Sequence, residues 1–285
     1  MKVRSIAANI LLALLIVGFV SPIYWMFITS FKLNRDIFSL NPLFEPTLNN
    51  YLVFFGLAQL GLEAGEYMSF THTYSFTPFL ANSVIASCIS TFIAVSLGAM
   101  AGYAFARYKS KRSDDLAFFI LSLRMAPPIL ASIPLFIMFR ALNLFDSIPT
   151  LVIAYTTFSL PFAIWMMKGV FEELPVDMEE SALVDGCSWW EAFLRVALPL
   201  SKTGLAAVAI LCFIFSWNEF LLSWILTTRK AVTVTVAFSY LITEQQMEWG
   251  PLMAGGVIAS VPILMLSLFI QKYIVRGLTF GAIKG

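Results

Sequence analysis

Charge is scarce in this sequence. Only 12% of its 285 residues are Asp, Glu, Lys or Arg, while 59% are hydrophobic; soluble proteins carry about 25% charged residues. So few charges cannot cover a water-facing surface, and part of the solvent must be lipid; the mean hydropathy is +0.84. The net charge of +1 supplies no long-range field, so no nucleic-acid partner is expected. Histidine is scarcer still. His72 stands alone, with no Cys or carboxylate at ligand spacing, and no metal site is expected. Cys88, Cys187 and Cys212 are odd in number and share no CxxC spacing, which argues against a disulfide framework. Cys88 and Cys212 fall in apolar runs, where Cys packs as a small hydrophobe. The chain has no G-x-x-x-x-G-K-[ST] loop to cradle a nucleotide's phosphates, and no H-E-x-x-H, G-x-S-x-G or paired intramembrane Asp. No catalytic residue is therefore assigned. The inverted repeat and coupling-ion site of a secondary transporter are missing as well.

What the chain does have is long apolar runs. A helix needs about 20 apolar residues to cross a bilayer. Runs of this kind occupy residues 6–30, 80–105, 116–139, 150–167, 204–227 and 251–274, so the fold class expected is all-α integral membrane with six transmembrane helices. The first run follows Lys2 and Arg4, exceeds the core of a signal peptide and ends in no A-x-A site; it reads as a retained helix. Basic loops stay cytoplasmic. With the N-terminus inside, Lys2, Arg4, the basic residues of 107–112, Lys168, Arg195, Lys202, Lys272, Arg276 and Lys284 are inside as well. Only Lys32, Arg35, Arg140, Arg229 and Lys230 fall outside. Both termini are then cytoplasmic, together with the loop 171–203 and the tail 275–285, whereas 31–79 and 228–250 are outer loops of one six-helix domain. The 31–79 loop is polar and long enough for short structure of its own.

Several residues inside the runs are devices rather than filler. Gly98 and Gly102 form a GxxxG that lets two backbones approach, read here as packing within the chain. Pro127, Pro128 and Pro134 break the third helix, which is tolerated where protein or water satisfies the freed groups; this helix lies in a bundle or lines a cavity. An interaction-only scaffold would have no use for such breaks. Arg124 and Glu219 are ionisable groups at membrane depth, which marks them as functional candidates. Arg124 lies about nine residues into its helix, roughly 13 Å deep, and Glu219 about fifteen residues into its own. Those depths differ, so a direct pair between them is not expected. Arg124 is expected to find its partner in the bundle. Glu219, with Asn218 beside it, reads as a gate, a packing network or a solute contact.

The stretch from Leu174 to Pro199 is compact, acidic and punctuated. Pro175 suits a first helical position. Asp177, Glu179 and Glu180 follow where a helix N-terminus favours negative charge. Gly186 is placed to end that helix in a left-handed turn. Ser188 and Glu191 have the spacing of a capping box that starts a second helix, which Leu198 and Pro199 close. Helices this short are marginal alone. Ala182, Leu183, Trp189, Trp190, Phe193 and Leu194 must therefore dock, either on the chain's own membrane helices or in a partner's groove.

Glu180-Ser181-Ala182-x₃-Gly186-x₉-Val196-x-Leu198-Pro199 resembles the E-A-A-x₃-G-x₉-I-x-L-P loop of permease subunits in binding-protein-dependent ABC importers, with Ser181 and Val196 as mild departures. Met125-Ala126-Pro127-Pro128, Ile133-Pro134-Leu135-Phe136, Trp217-Asn218-Glu219-Phe220 and the ending from Arg276 to Gly285 are similar to the carbohydrate-uptake, maltose-type branch. The resemblance implies a type I importer permease in a bacterial inner membrane. It implies a second permease, two ATPase subunits that bind the ATP and Mg²⁺, and a periplasmic solute-binding protein; this chain would hold no cofactor. It further implies that Glu180, Ser181, Ala182, Gly186, Trp189, Trp190, Phe193, Leu198 and Pro199 dock on an ATPase. The tail with Gly277, Gly281 and Lys284 would lie on that side too, and Arg124, Pro127, Pro128, Asn218 and Glu219 near the pathway of a sugar, a polyol or a solute such as a glycerol phosphate.

Overall fold

The computed structural model describes residues 2–38, 44–57, 75–108, 112–242 and 248–281, with side chains described from residue 8 to 269 except at 34. His72 and Lys284 lie outside the described residues. The elements, in order, are α1 (Lys2–Thr29), α2 (Asn34–Ile37), α3 (Asn49–Phe54), α4 (Thr77–Arg107), α5 (Ser113–Ser122) with a 3₁₀ turn Leu123–Met125, α6 (Pro128–Ala141), α7 (Ile148–Glu172), α8 (Asp177–Val184), α9 (Trp189–Ala192), a π-helical turn Phe193–Ala197, α10 (Leu198–Leu200), α11 (Lys202–Trp217), α12 (Leu221–Leu226), α13 (Val234–Ala237), a 3₁₀ turn Phe238–Leu241, and α14 (Trp249–Gly281). Ala8–Thr29, α4, α7 and Trp249–Phe269 are each long and apolar enough to cross a membrane, and two bent pairs raise the number to six.

The bends correct two expected helices. The run 116–139 is not one rod: α5 with its 3₁₀ turn and α6 meet at 84°. The cause is local. Ala126 precedes a proline and is pushed extended (φ −64°, ψ 129°), and Pro127 follows suit (φ −56°, ψ 129°). The run 204–227 is likewise interrupted at 218–220, between α11 and α12. Leu198 and Pro199 lie in the last turn of their helix, which ends at Leu200 as expected. The chain runs on from α9 through the π turn into α10, and turns by 78° only between Leu200 and Lys202. A proline ring clashes with the carbonyl four residues back; here that is Arg195, which lies within the π turn.

The chain divides into two compact units. The first comprises Met1–Leu80 and Ala237–Pro262. Asn50 donates Nδ2 hydrogen bonds to the Ser30 (3.0 Å) and Lys32 (2.8 Å) carbonyls, closing the end of α1. Phe54, fully buried, stacks on Phe76 at 4.7 Å and abuts Gly255 of α14, where a Cβ would come within 2.6 Å of its ring.

The second unit comprises Ala81–Val236 and Ile263–Gly285. Its axis is the contact of α4 with α7. A Cβ on Gly98 would stand 2.6 Å from Ala163 Cβ, and one on Gly102 2.7 Å from the Lys168 backbone nitrogen, so the GxxxG is the surface on which these two helices touch. Around it pack Val95, Ala99, Tyr103, Met167, Phe171 and Phe193. Phe139, Leu151, Tyr155, Leu222 and Leu226 form a second cluster.

Asp146 ties the α6–α7 loop to the segment after α12. Its carboxylate accepts from the backbone N–H groups of Thr228, Arg229, Lys230 and Ala231 at 3.0 to 3.2 Å, and from Thr228 Oγ1 at 3.1 Å. Burial pulls the carboxyl upward, but the four amide donors outweigh it and hold it below the ordinary aspartate value. A depressed carboxyl stabilises the fold above its unfolded value and loses that contribution as pH falls through the folded one. The latch is therefore expected to hold at neutral pH and to release only below about pH 4. Asp146→Ala is expected to release it at pH 7. Limited trypsin digestion in detergent reads this as faster cleavage after Arg229 and Lys230, and an unchanged cleavage rate would refute it.

Candidate functional site

The segment after α7 folds as a helix, a glycine turn and a helix, and the turn has a full set of hydrogen bonds. Gly186 sits at φ +90°. Its N–H donates to the Leu183 carbonyl (3.1 Å), and that of Cys187 to the Ala182 carbonyl (3.0 Å), the pairing of a Schellman end. Ser188 then opens α9 with a reciprocal capping box: Glu191 N donates to Ser188 Oγ at 3.3 Å, and Ser188 N to Glu191 Oε2 at 2.9 Å.

The two faces of this elbow differ. Glu179 points inward and is 2% exposed. It accepts from Arg107 Nη2 at 2.6 Å, Arg107 Nε at 2.9 Å and Tyr103 Oη at 2.9 Å. Phe193 is also inward, 4.9 Å from the Tyr103 ring, and Ala182 and Leu198 are only partly exposed. Phe193 therefore belongs to the chain's own core, packed on Tyr103 and Phe171, which corrects its assignment to a partner. Glu180, Ser181, Gly186, Trp189, Trp190 and Pro199 are exposed, as are Met178 and Val184, the latter 87%. Gly277 and Gly281 lie in the last turns of α14.

A second constellation surrounds a cavity of about 110 Å³ in the second unit, lined by Arg124, Pro128, Tyr155, Phe158, Ser159, Phe215, Ser216, Glu219 and Leu222. The breaks in the helices build it. Arg124 comes from the 3₁₀ turn at the α5–α6 bend, with its guanidinium 4.0 Å from the Phe215 ring and 5.0 Å from that of Phe162. The expected partner in the bundle is thus a pair of aromatic faces. Its Nη1 is buried with no hydrogen-bond partner, and the buried Tyr155 hydroxyl faces the side chains of Ser223 and Thr233. Glu219, at the α11–α12 break, accepts from the Leu222 N–H at 3.0 Å, while Asn218 turns its amide back to the Ile214 carbonyl (2.8 Å) and does not line the cavity. Pro127 caps α6 and is not in the lining either. Arg124 and Glu219 make no ion pair with each other among the described residues, yet both line one cavity. Depth counted along straight helices failed to bring them together because both helices are broken. Tyr155 and Ser159 escaped the sequence reading; the signal was there, as polar groups one turn apart in an apolar run.

A helical chain with four to six candidate spans, two interrupted helices around a cavity that holds Arg124 and Glu219, and an elbow held at one end is the architecture of a membrane transport subunit. Residues 94–280 match the binding-protein-dependent transport system inner membrane component family, and the chain belongs to it. It is 42% identical to the trehalose transport system permease protein SugB of Mycobacterium tuberculosis, over 74% of this chain and 78% of that one. It is 33% identical to the trehalose/maltose transport system permease protein MalG of Thermococcus litoralis, over 93% and 91%. It is 32% identical to the sulfoquinovosyl glycerol transport system permease protein SmoH of Agrobacterium fabrum, over 99% and 93%. Among solved structures, a bacterial ABC transporter involved in alginate import shares the fold with a TM-score of 0.74 at 20% identity, covering 95% of this chain and 96% of that one.

Proposed function

We propose that this chain is one of two permease subunits of an ATP-driven importer, and that it passes a sugar or polyol from a periplasmic binding protein to the cytoplasm. ATP and Mg²⁺ belong to two ATPase subunits, and the elbow docks on one of them. The observation that carries this reading is the elbow itself: an acidic and aromatic outer face, from Glu180 to Trp190, set on a rigid Schellman turn and anchored from behind. The positive-inside bias of Lys and Arg supports placing both termini and this elbow in the cytoplasm. ATP drives such a machine only by binding the closed ATPase dimer better than the open one, which draws the docked elbows together and opens the cavity between the permeases to the other side. The names of the relatives, from trehalose and maltose to sulfoquinovosyl glycerol, support a carbohydrate solute.

The 110 Å³ cavity is the part of the pathway that this chain contributes. A buried donor without a partner, Arg124 Nη1, and the Glu219 carboxylate can meet the hydroxyls of a solute or the water that travels with it. A second reading, an anionic solute such as a glycerol phosphate, is favoured by the free Nη1 of Arg124, while Glu219 in the same lining weighs against it. A thermal-shift screen of the cognate binding protein with disaccharides, polyols and glycerol phosphates decides between the two. Arg124→Ala and Glu219→Ala are expected to cut uptake of the selected solute by about tenfold or more, the scale of one buried charged hydrogen bond, without loss of co-purifying ATPase. Uptake at the wild-type rate in both would remove the cavity from the pathway.

A further inference from the structure

Consecutive residues on a helix point about 100° apart, so Glu179 and Glu180 cannot serve the same neighbour. Glu180 is exposed, whereas Glu179 is 2% exposed and its carboxylate accepts three hydrogen bonds from Arg107 and Tyr103 of α4. We propose that Glu179 is a positioning residue: its clamp to Arg107 and Tyr103 is the joint through which movement of the docked elbow reaches the membrane helices. This inference rests on the docking reading given above.

The joint has the properties a lever needs. The guanidinium and carboxylate meet through two bonds, which fixes their relative orientation as one bond does not. Tyr103 Oη supplies a third point of attachment on the same helix. Phe193, from the second half of the elbow, packs on the rings of Tyr103 (4.9 Å) and Phe171 (6.1 Å), which themselves meet edge-on at 5.4 Å, so the first half grips α4 and the second grips both α4 and α7. Beyond the joint there is no slack. Gly98 and Gly102 bring α4 into direct contact with the α7 backbone, and packed interiors shift as units rather than deform. On α7, in turn, are Tyr155 and Ser159, which line the cavity. A neighbouring ion pair serves as an internal contrast: Lys168 meets Asp114 at 2.9 Å, but Asp114 is 84% exposed and does not belong to the elbow.

The test uses the complete complex with its ATPase subunits, in a background where Cys88 and Cys212 are replaced by Ala and Cys187 by Ser. Ser159→Cys then reports the cavity through maleimide labelling, compared with ADP and with ATP plus vanadate. Glu179→Gln, which keeps the shape and removes the charge, is expected to retain co-purifying ATPase and to hydrolyse ATP within about twofold of the parent, while the nucleotide-dependent difference in labelling falls about tenfold or more, as for loss of one buried charged bond. Tyr103→Phe, a milder cut at the same joint, is expected to lie between the two. Asp114→Asn is expected to leave the difference intact. A full labelling difference in Glu179→Gln overturns the proposal, and so does an equal loss in Asp114→Asn or a parallel loss of assembly and hydrolysis. Glu180→Lys separates the two readings: if it retains the ATPase, the docking reading itself fails, whatever Glu179 does.

Discussion

Replacing Gly186 with proline is expected to abolish ATP-dependent uptake and to strip the ATPase subunits from the purified complex, while the chain remains inserted in the membrane. Gly186 holds φ +90°, and proline is fixed near −65°. Proline also removes the N–H that reaches the Leu183 carbonyl, and with the turn reset the Cys187–Ala182 bond cannot form. Both bonds define the angle between α8 and α9, so the outer face of Glu180, Val184, Trp189 and Trp190 is scattered at once. The hydrogen bonds of that turn are all local to the elbow, so its loss does not keep the apolar spans from inserting. Gly186→Ala is the graded control. A Cβ there meets nothing within 4 Å, so its penalty is only the left-handed conformation, about 1–2 kcal/mol. Alanine should therefore weaken assembly and uptake partially, and proline completely. Co-purification from detergent and uptake in proteoliposomes measure both. Uptake within about twofold of the parent in Gly186→Pro, a change of only some 0.4 kcal/mol, would show that the elbow is not where energy enters.

The elbow was legible in the sequence because its signals are local. A capping box, a glycine at a helix end and acids in a first turn act over a few residues, and each took the form expected at Ser188, Gly186 and Asp177. The facing of its side chains was not legible. Glu179 and Glu180 look alike in the chain; only the position of Arg107, far away in sequence, makes one a buried anchor and leaves the other to face solvent. Phe193 was misplaced for a related reason: Tyr103 and Phe171, from other helices, supply the rings that bury it. The long apolar runs gave the candidate spans, but hydropathy does not register a bend. The prolines at 127 and 128 marked one break; the one at Asn218 and Glu219 has no proline and depends on side chains bonding to backbone at Ile214 and Leu222. Because those two breaks face one another, the cavity lining with Tyr155 and Ser159 could not be assembled from depth along straight helices.

Gly102→Leu, alone or with Gly98→Leu, is expected to have the largest effect on the stability of the bundle. The contact is backbone against backbone. A Cβ at 102 would lie 2.7 Å from the Lys168 nitrogen and 2.9 Å from the Met167 carbonyl carbon, and one at 98 would lie 3.0 Å from the Ala163 carbonyl carbon. No rotamer change relieves such overlap, so α4 and α7 must separate along the seam. Overpacking a well-filled core costs about 1–3 kcal/mol per site. Here separation also strips contacts from Val95, Ala99, Met167 and Phe171, so the double variant should exceed that range. Lys168 would be displaced as well, together with its bonds to Asp114 (2.9 Å) and Glu172 (2.7 Å). Gly169→Ala, one residue along the same helix, is the opposite case. Nothing lies within 4 Å of its Cβ, and alanine is the better helix former by about 1 kcal/mol, so it should be neutral or stabilising. Thermal unfolding in detergent, followed by tryptophan fluorescence and gel filtration, ranks the variants. If Gly102→Leu melts no lower than Gly169→Ala, the α4–α7 seam is not what holds this unit together, and a motion delivered by the elbow to α4 has no rigid route onward to α7.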